Sequence, residues 1–421
     1  MKYLIVGYGR SGKAAEALLK DNNDVTVWDK KSGEPEPDVS LFDEVILSPG
    51  VPLEQEWLRG GKLSGELELA YENCRGEFIA ITGTNGKTTV TTLVGEMVKA
   101  AGRDCRVVGN IGNPATEVCK EAGEDTLMVT EVSSFQLETI KTFKPHVAAI
   151  LNVTPDHLDR HGTFENYASI KARITENQNQ DDYFVYNIED DSCIEIAERS
   201  LAIDTPFSAD RILPFGAFIE DGFITVKDDA EEVKLCKPEE LIIPGRHNLE
   251  NALAAAAIAY FAGIPSEVIA KTLKSFKGVE HRMEFVRELR GVRYVNDSKG
   301  TNPDASMKAI DATYTPIILI AGGYEKNSDF HDFINGFDGR VKELLLLGHT
   351  AERFKAAAIE CGFDPNHIRI CSDMKECIQD ASLLAKAGDT VLLSPASASW
   401  GMYNNFEERG EDFKNLVNAL V

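Results

Sequence analysis

Short apolar segments alternate along this chain with longer segments that carry apolar residues at helical spacing. Near the beginning, the pattern predicts strands at 2–6 and 25–28 with a helix at 13–20 between them. A third strand at 44–47 ends in Ser48-Pro49-Gly50. This order of strands and helices is typical of a small parallel α/β sheet.

The alternation restarts after Cys74 with an apolar strand at 78–81 and a helix at 90–101. Two further strands, at 126–132 and 147–153, run directly into polar residues. Ligands of open parallel sheets bind at the carboxyl ends of strands, so these polar ends are candidate site positions.

Between residues 215 and 243 the pattern changes to short alternating β segments, with Asp221-Gly222 as a hairpin signal. An alanine-rich helix is predicted at 249–261. From about residue 280, four strands each end in small or polar residues, which predicts a second doubly wound sheet. These strands are predicted at 292–295, 316–320, 344–347 and 390–393.

A glycine-rich turn joins the strand at 78–81 to the helix at 90–101. Backbone N–H groups of such a turn can surround phosphate oxygens, Lys87 can reach the terminal phosphates, and Thr88 can hold Mg²⁺. Ile81 stands where the full phosphate-loop pattern has a glycine, so the loop is a shortened variant. The alternative is a plain turn with an exposed lysine. The candidate nucleotide-binding residues here are Gly83, Thr84, Asn85, Gly86, Lys87, Thr88 and Thr89.

Length and pattern together predict three α/β domains, because 421 residues exceed what a single core normally supports. We predict a Rossmann-like domain at 1–74, a central P-loop ATPase domain with a mainly parallel sheet at 75–280, and a C-terminal Rossmann-like domain at 281–421.

The net charge of −24 argues against a nucleic-acid or anionic-membrane partner. Eight cysteines are scattered without zinc spacing, and the sequence starts with a strand instead of a signal peptide. No apolar run reaches bilayer length. We therefore expect a cytoplasmic protein with reduced thiols, and a monomer.

The first strand is followed by Gly7-x-Gly9-x-x-Gly12, and Asp29 ends the second strand. This resembles a dinucleotide fingerprint, in which the acidic residue holds a ribose. An NAD-dependent oxidoreductase is accordingly one alternative function.

Glu131 and His157 follow strands that would neighbour the phosphate loop in a parallel sheet, which suggests a Mg²⁺ site beside the phosphates. Alternatively, Glu131 caps the next helix and His157 is a surface bystander. Lys171, on a helix at 167–174, is by its pattern one more solvated lysine.

Later positions offer further candidates. Arg282 could stabilise phosphoryl charge or form an interface salt bridge. Lys299 and Lys326 could pair with substrate carboxylates, or be ordinary exposed loop lysines.

Several segments, taken in order, resemble the motif series of the Mur ligase family along essentially the whole chain. The segments are Gly83 to Thr89, Glu131 to Glu138, Asn152 to Arg160, Gly245 to Asn248, His281-Arg282, Asn296 to Lys299 and Ser394 to Gly410. Within that family, residues 7–12, 133–137 and 399–410 resemble the D-glutamate-adding members.

The resemblance implies an ATP-dependent amide ligase that adds D-glutamate to UDP-N-acetylmuramoyl-L-alanine through an acyl phosphate, in peptidoglycan precursor synthesis. It implies ATP, two Mg²⁺ ions and a carbamylated Lys171 that shares the second ion with His157. A related ligase for another muramoyl peptide or for folate, and an ATP-gated binding protein without turnover, are the remaining alternatives.

The resemblance also implies roles for individual residues. Lys87, Glu131, His157 and Lys171 would be catalytic, and the last three with Thr88 would bind metal. Asn251, Arg282 and Asp297 would bind the nucleotide. The first domain would bind the UDP part of the substrate, and the third domain the amino acid. The implied substrate-binding residues are Arg10, Ser11, Asp29, Lys30, Lys31, Ser48, Pro49, Gly50, Asn110, Thr301, Lys299, Lys326, Ser399 and Phe406.

Overall fold

We describe the protein from a computed structural model that covers residues 1–243, 245–324 and 329–421, with positions 159 and 304 described by their backbone only. The predicted substrate-binding residue Lys326 therefore lies outside the described residues. The chain divides into two compact units, Met1–Phe276 and Lys277–Val421. The first unit contains two sheets and the second contains one. The division into three domains stays a prediction.

A four-stranded parallel sheet opens the first unit. Its elements are β1 (Lys2–Val6), α1 (Arg10–Leu19), β2 (Asp24–Trp28), β3 (Glu44–Leu47), β4 (Leu63–Gly65) and α2 (Glu66–Glu72). The strand order is β2-β1-β3-β4. Leu4, Ile5 and Val6 of the inner strand β1 are fully buried, as expected for a parallel strand covered on both faces.

The glycine fingerprint of this sheet has a packing explanation. A Cβ at Gly12 would lie 2.0 Å from the carbonyl oxygen of Gly7, whereas a Cβ at Gly9 would meet nothing within 4 Å. Only glycine at position 12 therefore lets α1 approach the end of β1 this closely.

The second sheet has nine strands and forms most of the first unit. Its elements are β5 (Glu77–Thr82), α3 (Lys87–Ala100), β6 (Cys105–Gly109), α4 (Ala115–Val118), β7 (Leu127–Glu131), α5 (Ser134–Leu137), β8 (Val147–Ile150), α6 (Leu158–His161), α7 (Phe164–Ala172), β9 (Tyr183–Asn187), α8 (Asp191–Ala197), β10 (Ile203–Phe207), β11 (Gly216–Glu220), β12 (Phe223–Lys227), β13 (Glu232–Cys236), α9 (Arg246–Phe261) and α10 (Ser266–Ser275). The order is β13-β12-β11-β10-β9-β8-β5-β7-β6. Only the pairs that involve β12 are antiparallel.

The register of this sheet brings three predicted site segments to one edge. Strand β5 lies between β7 and β8, with Ile81 opposite Glu131 and Thr82 opposite Ile150. The phosphate loop, Glu131 and the segment that carries His157 therefore all leave the sheet at its carboxyl edge.

Two buried carboxylates on α2 attach the first sheet to the second. Glu66 Oε1 accepts from the backbone N–H and the hydroxyl of Thr116, both at 2.7 Å. Glu68 accepts from the backbone N–H groups of Lys141, Thr142 and Phe143 at 2.7–3.1 Å, and from the Thr142 hydroxyl. These contacts explain why both sheets belong to one compact unit.

The second unit is built on a six-stranded sheet. Its elements are β14 (Glu284–Leu289), β15 (Val292–Asn296), α11 (Pro303–Asp311), β16 (Ile317–Ala321), α12 (His331–Asn335), β17 (Val341–Leu346), α13 (Ala351–Glu360), β18 (Ile368–Ile370), α14 (Met374–Leu384), β19 (Thr390–Leu393) and α15 (Phe406–Asn418). The order is β14-β15-β19-β16-β17-β18, and only the pair β14–β15 is antiparallel. The expectation of α/β architecture with mainly parallel sheets is confirmed.

Among the described residues, no helix combines the length and the apolar character that a bilayer span requires.

Candidate functional site

The loop between β5 and α3 has the backbone of an anion-binding turn. Gly83 and Gly86 have φ values of +146° and +84°, which favour glycine. Helix α3 begins at Lys87, so the N–H groups of its first turn are directed at the loop. A Cβ at Gly86 would lie 2.4 Å from Asn251 Oδ1, so the glycine also admits a neighbouring side chain.

The segment after β8 holds this loop in shape. Asn152 accepts from the Asn85 N–H at 2.8 Å through Oδ1 and donates to the Asn85 carbonyl at 3.2 Å through Nδ2. The Thr84 hydroxyl donates to the Thr154 carbonyl at 3.0 Å and is hydrogen-bonded to the Tyr167 hydroxyl at 3.2 Å. These hydrogen bonds fix the loop to the segment after β8 and to α7. Sequence reasoning gave Asn152 and Tyr167 no role, although both lie in or beside segments that it had singled out.

Lys87 lies folded over the loop and is half-buried. Its Nζ donates to the carbonyls of Gly83 at 2.7 Å and Thr84 at 2.8 Å. Thr88 is buried in the first turn of α3. The alternative of a plain turn with an exposed lysine is therefore wrong for Lys87.

Glu131 is buried at the end of β7, and its two oxygens have different surroundings. Oε1 accepts from Asn110 Nδ2 at 2.7 Å. Oε2 is enclosed and has no hydrogen-bond partner among the described residues. The next helix, α5, is capped by Ser133, so the interpretation of Glu131 as a helix cap is wrong. An enclosed carboxylate oxygen without a donor is costly for a protein and suits a hard cation such as Mg²⁺.

His157 lies in the segment after β8 with a positive φ of +52° and precedes the short helix α6. Its side chain is 50% exposed, with Nε2 3.9 Å from Asp156 Oδ2. The ring centroid is 5.0 Å from that of Phe135, which follows β7. The imidazole is thus accessible at the same edge as the phosphate loop.

Lys171 is only 1% exposed, so its interpretation as a solvated lysine is wrong. Its Nζ donates to the Gly83 carbonyl at 3.1 Å and to Thr82 Oγ1 at 3.4 Å, directly behind the phosphate loop. Burial, and then the nearby charge of Lys87, holds the pKa of the Lys171 amine well below its usual range. Nothing in helical spacing could have predicted this, because the burial depends on how α7 packs against β5.

Asn251 reaches the same loop from α9. Its side-chain oxygen touches Gly86, and its Nδ2 donates to Asn248 Oδ1 at 3.3 Å. Helix α9 is rich in fully buried alanines, whose small side chains allow close packing against α3.

The predicted UDP-binding residues collect at the carboxyl edge of the first sheet. Asp29 accepts from the N–H groups of Tyr8 at 2.7 Å and Lys31 at 2.9 Å, and these bonds, the one from Tyr8 first, lower the pKa of its carboxyl. The Ser48 hydroxyl donates to the Gly7 carbonyl at 2.7 Å. Arg10 opens α1 and donates to Asn113 Oδ1 at 3.3 Å. The other predicted residues lie nearby. Ser11 is in the first turn of α1, Lys30 and Lys31 form a short 3₁₀ turn after β2, and Pro49 and Gly50 follow β3.

In the second unit, two predicted substrate-binding residues lie together. Lys299 Nζ is 5.9 Å from the centroid of the Phe406 ring. The Ser298 hydroxyl donates to the Phe406 carbonyl at 2.7 Å, and Thr301 N–H donates to the Lys299 carbonyl at 2.8 Å. Ser399 is buried in the segment after β19.

Asp297 directly follows β15, two residues before Lys299, and its carboxylate is buried. Its oxygens accept from the Ser394 hydroxyl at 2.7 Å and from the Met283 N–H at 3.2 Å. Burial raises the pKa of Asp297 to about 7. Arg282, the predicted nucleotide-binding residue, immediately precedes Met283.

Sequence reasoning did not single out Arg409 of α15, a buried cation in the second unit. Its guanidinium donates to the Ser298 hydroxyl at 3.0 Å and to the carbonyls of Ser298 at 2.8 Å and Ser397 at 3.1 Å. Burial lowers the pKa of Arg409 to about 10. Arg409 thus joins the loop that carries Lys299 to the one that carries Ser399.

The arrangement in the first unit can bind and polarise a nucleoside triphosphate. A preorganised loop and a helix N-terminus suit phosphate oxygens, and Lys87 adds a positive charge. The free oxygen of Glu131 and the hydroxyl of Thr88 fit a Mg²⁺ ion, which would neutralise phosphate charge when bound.

Two family profiles match the chain: the Mur ligase middle domain at residues 81–259 and the Mur ligase, glutamate ligase domain at residues 281–397. Two similar proteins are named UDP-N-acetylmuramoylalanine–D-glutamate ligase. The one from Thermoanaerobacter sp. (strain X514) is 51% identical over 383 residues, which are 90% of this chain and 84% of that protein. The one from Caldanaerobacter subterraneus subsp. tengcongensis is 47% identical over 422 residues, with 99% and 93% covered.

Solved structures are similar at the level of the fold. UDP-N-acetylmuramate-alanine ligase MurC from Thermotoga maritima has a TM-score of 0.57 and 19% identity, covering 99% of this chain and 98% of its own. MurF from Acinetobacter baumannii has a TM-score of 0.60 and 17% identity, with 89% and 85% covered. FolC from E. coli, solved with DHPP and ADP, has a TM-score of 0.59 and 16% identity, with 83% and 92% covered.

Proposed function

The chain belongs to the Mur ligase family, and from this premise we propose that it ligates D-glutamate to UDP-N-acetylmuramoyl-L-alanine at the expense of ATP, in peptidoglycan precursor synthesis. The amino-acid specificity rests on relatives of that name at 47–51% identity over at least 90% of the chain. The ATP-dependent chemistry rests on one observation: a buried Glu131 oxygen has no donor among the described residues, at the sheet edge that carries the phosphate loop.

The proposed reaction has two steps. A carboxylate oxygen of the muramoyl substrate attacks the γ-phosphorus of ATP, the bond from that phosphorus to the bridging oxygen breaks, and ADP leaves. The amine of D-glutamate then attacks the acyl carbon, the bond to the phosphate oxygen breaks, and the amine loses a proton. Lys87 and the N-terminus of α3 stabilise the charge that develops on the transferring oxygens.

Within this proposal Lys171 carries a carbamate. Its burial favours a neutral amine, whose nitrogen can form a bond to the carbon of CO₂ and release a proton. The product carries anionic oxygens that can bind a cation, in place of the amine of the unmodified lysine. It would hold a second Mg²⁺ together with His157.

The remaining assignments follow the division of the chain. Asn251 with Arg282 would bind the nucleotide and Asp297 its ribose, while Asn110 and His157 would meet the acyl-bearing end of the substrate. The carboxyl edge of the first sheet would hold the UDP part. The second unit would bind D-glutamate through Thr301, Lys299, Lys326, Ser399 and Phe406. We also propose a monomer in the cytoplasm.

The decisive experiment measures phosphate release from ATP and UDP-N-acetylmuramoyl-L-alanine with single amino acids. We expect release that depends on D-glutamate. Equal rates with another amino acid, or release only with a different muramoyl peptide or a folate, would identify a related ligase instead.

A titration with NADH tests the oxidoreductase alternative. We expect no saturable binding of NADH at the first sheet, because we propose that the carboxyl edge of this sheet is specific for the UDP part of the substrate. Tight NADH binding without ADP formation would contradict the ligase proposal.

Replacing Lys171 with alanine tests the carbamate. We expect kcat to fall by about 100-fold or more, because a metal ligand is lost, and formate to restore part of it by entering the gap. Lys144→Ala, which removes an ion pair of 3.1 Å to the buried Asp182, is the control and should keep full kcat per folded molecule. A ¹³C-bicarbonate NMR signal at Lys171 should be present in the wild type, and its absence from active enzyme would refute the carbamate.

A further inference from the structure

A second histidine, His161, lies buried between the elements that carry the predicted site residues. Its side chain is 1% exposed. The ring lies in the last turn of α6, with Nε2 3.0 Å from Ser134 Oγ and Nδ1 3.5 Å from Glu138 Oε1. Nε2 is thus hydrogen-bonded to the Ser134 hydroxyl, and Nδ1 faces the Glu138 carboxylate.

The surroundings lower the pKa of this imidazole and restrict its orientation. Burial lowers the pKa of His161, although Glu138 opposes the shift. Glu138 is itself held by Arg160, whose Nε donates to Oε1 at 3.2 Å and which also donates to the Val51 carbonyl at 3.0 Å. Both ring nitrogens of His161 therefore have partners that are fixed in turn.

The His161 ring packs beside two aromatic rings. The centroid of Phe135 is 5.5 Å away, and that of Tyr167 is 5.3 Å away. Phe135 also packs beside His157, with the two ring centroids 5.0 Å apart.

Tyr167 connects His161 to the phosphate loop. Its hydroxyl is hydrogen-bonded to Thr84 Oγ1 at 3.2 Å, and Lys171 Nζ lies 4.7 Å from its ring centroid. A single aromatic ring therefore separates His161 from each of three site residues: Tyr167 from Thr84 and Lys171, and Phe135 from His157.

We propose that His161 is a positioning residue, which through Phe135 and Tyr167 fixes His157, Lys171 and the phosphate loop in the geometry that phosphoryl transfer requires. This inference rests on the proposed function as far as the reaction is concerned, but the connection of His161 to the loop through Tyr167 concerns nucleotide binding alone. His161 itself touches no reacting atom. Displacements of about 1 Å in such a site can cost on the order of 100-fold in rate.

The test compares His161→Ala, which removes the ring, with His161→Phe, which keeps both aromatic contacts and loses the nitrogens. The control is His146→Ala. His146 also pairs with a carboxylate, Asp182, at 3.4 Å, but it lies before β8, at the opposite edge of the sheet. Steady-state kinetics for each substrate and a titration with Mg·ADP are measured for all variants, with thermal unfolding as the measure of folding.

For His161→Ala we expect kcat per folded molecule to fall by about 10- to 100-fold and the Kd for Mg·ADP to rise, while KM for D-glutamate stays unchanged. His161→Phe should recover part of both losses, and His146→Ala should alter neither. If His161→Ala and His146→Ala lose stability alike and retain kcat and Kd, His161 is only structural and the proposal is overturned.

Failure of the proposed function gives a different result. If the wild type turns over another amino acid, the same comparison is made with that substrate and the effect of His161 persists. If the wild type does not bind Mg·ADP, both proposals are wrong.

Discussion

Single residues with unusual burial carry much of the chemistry in this protein. Lys171, Glu131 and Asp297 are ionisable side chains that the fold encloses, at 1%, 1% and 5% exposure. Each has a polar neighbour that restricts it, such as Asn110 for Glu131 and Ser394 for Asp297. For Lys171 and Asp297, burial makes protonation depend on the fold, because desolvation penalises the charged form.

Asp297 should therefore make stability depend on pH. Its pKa is about 7 in the folded protein and near 4 when unfolded, so the unfolded state loses the proton first. The contribution of Asp297 to the free energy of unfolding is largest below about pH 4. Between about pH 4 and pH 7 this contribution falls by roughly 1.4 kcal/mol per pH unit. We expect Asp297→Asn to remove this dependence, so that the variant gains stability over the wild type between pH 5 and 7.

Urea unfolding at pH 5, 6, 7 and 8, followed in the transition of the second unit, measures this difference. Asp332→Asn is the control, because Asp332 is exposed on α12 in the same unit. If the free energy of unfolding changes with pH in the same way for the wild type and for Asp297→Asn, the pKa assigned to Asp297 is contradicted.

At the scale of helices and strands, the sequence pattern predicted the elements that are set by local turn geometry. The hairpin predicted at Asp221-Gly222 joins β11 to β12, with positive φ at both residues. The pattern missed β6, β9 and β10, whose sequences carry no clear alternation. In the sheet, β6 pairs with β7, β9 pairs with β8, and β10 pairs with β9, so their positions depend on the large sheet as a whole.

Gly12→Ala tests the close contact of α1 with β1. The added Cβ would lie 2.0 Å from the Gly7 carbonyl, so α1 must shift. We expect the first unit to lose about 1–3 kcal/mol in free energy of unfolding and its affinity for UDP to fall. Gly9→Ala is the matched control, with φ of −79° and open space around the Cβ, and should change stability by less than about 1 kcal/mol. Equal effects of both changes would refute the packing explanation.

Glu68→Ala tests the attachment of α2. The change leaves three backbone N–H groups, those of residues 141–143, without their acceptor. We expect a loss of about 3 kcal/mol or more in the unfolding free energy of the first unit. Glu72→Ala, one turn later on the same helix and exposed, should change it by less than about 0.5 kcal/mol. Chemical denaturation of both variants gives the comparison, and a Glu68→Ala protein as stable as Glu72→Ala would show that the attachment lies elsewhere.

At the scale of the whole molecule, the two compact units have separate cores. The phosphate loop, Glu131 and Lys171 all belong to residues 1–276. We expect a fragment of residues 1–276 to fold and to bind Mg·ADP, more weakly than the full chain because Arg282 and Asp297 are missing, and not to ligate D-glutamate. Circular dichroism and calorimetry with Mg·ADP measure this, with the full chain as reference. A fragment that unfolds would show that the second core is needed for the first.

The sequence by itself determined the α/β class, the mainly parallel sheets and the edge at which the phosphate loop lies. These depend on local patterns: apolar strands, glycines with positive φ such as Gly86, and polar residues directly after strands. The resemblance of ordered motifs to the Mur ligases was also legible from residue identities alone.

Only the tertiary structure decided the burial of Lys171, the unpartnered oxygen of Glu131 and the contacts of His161 and Arg409. Each depends on which side chains distant segments bring together, and helical or strand spacing carries no information about that. The conversion of an ordinary lysine in the sequence into an enclosed amine with a lowered pKa is a consequence of packing α7 against β5.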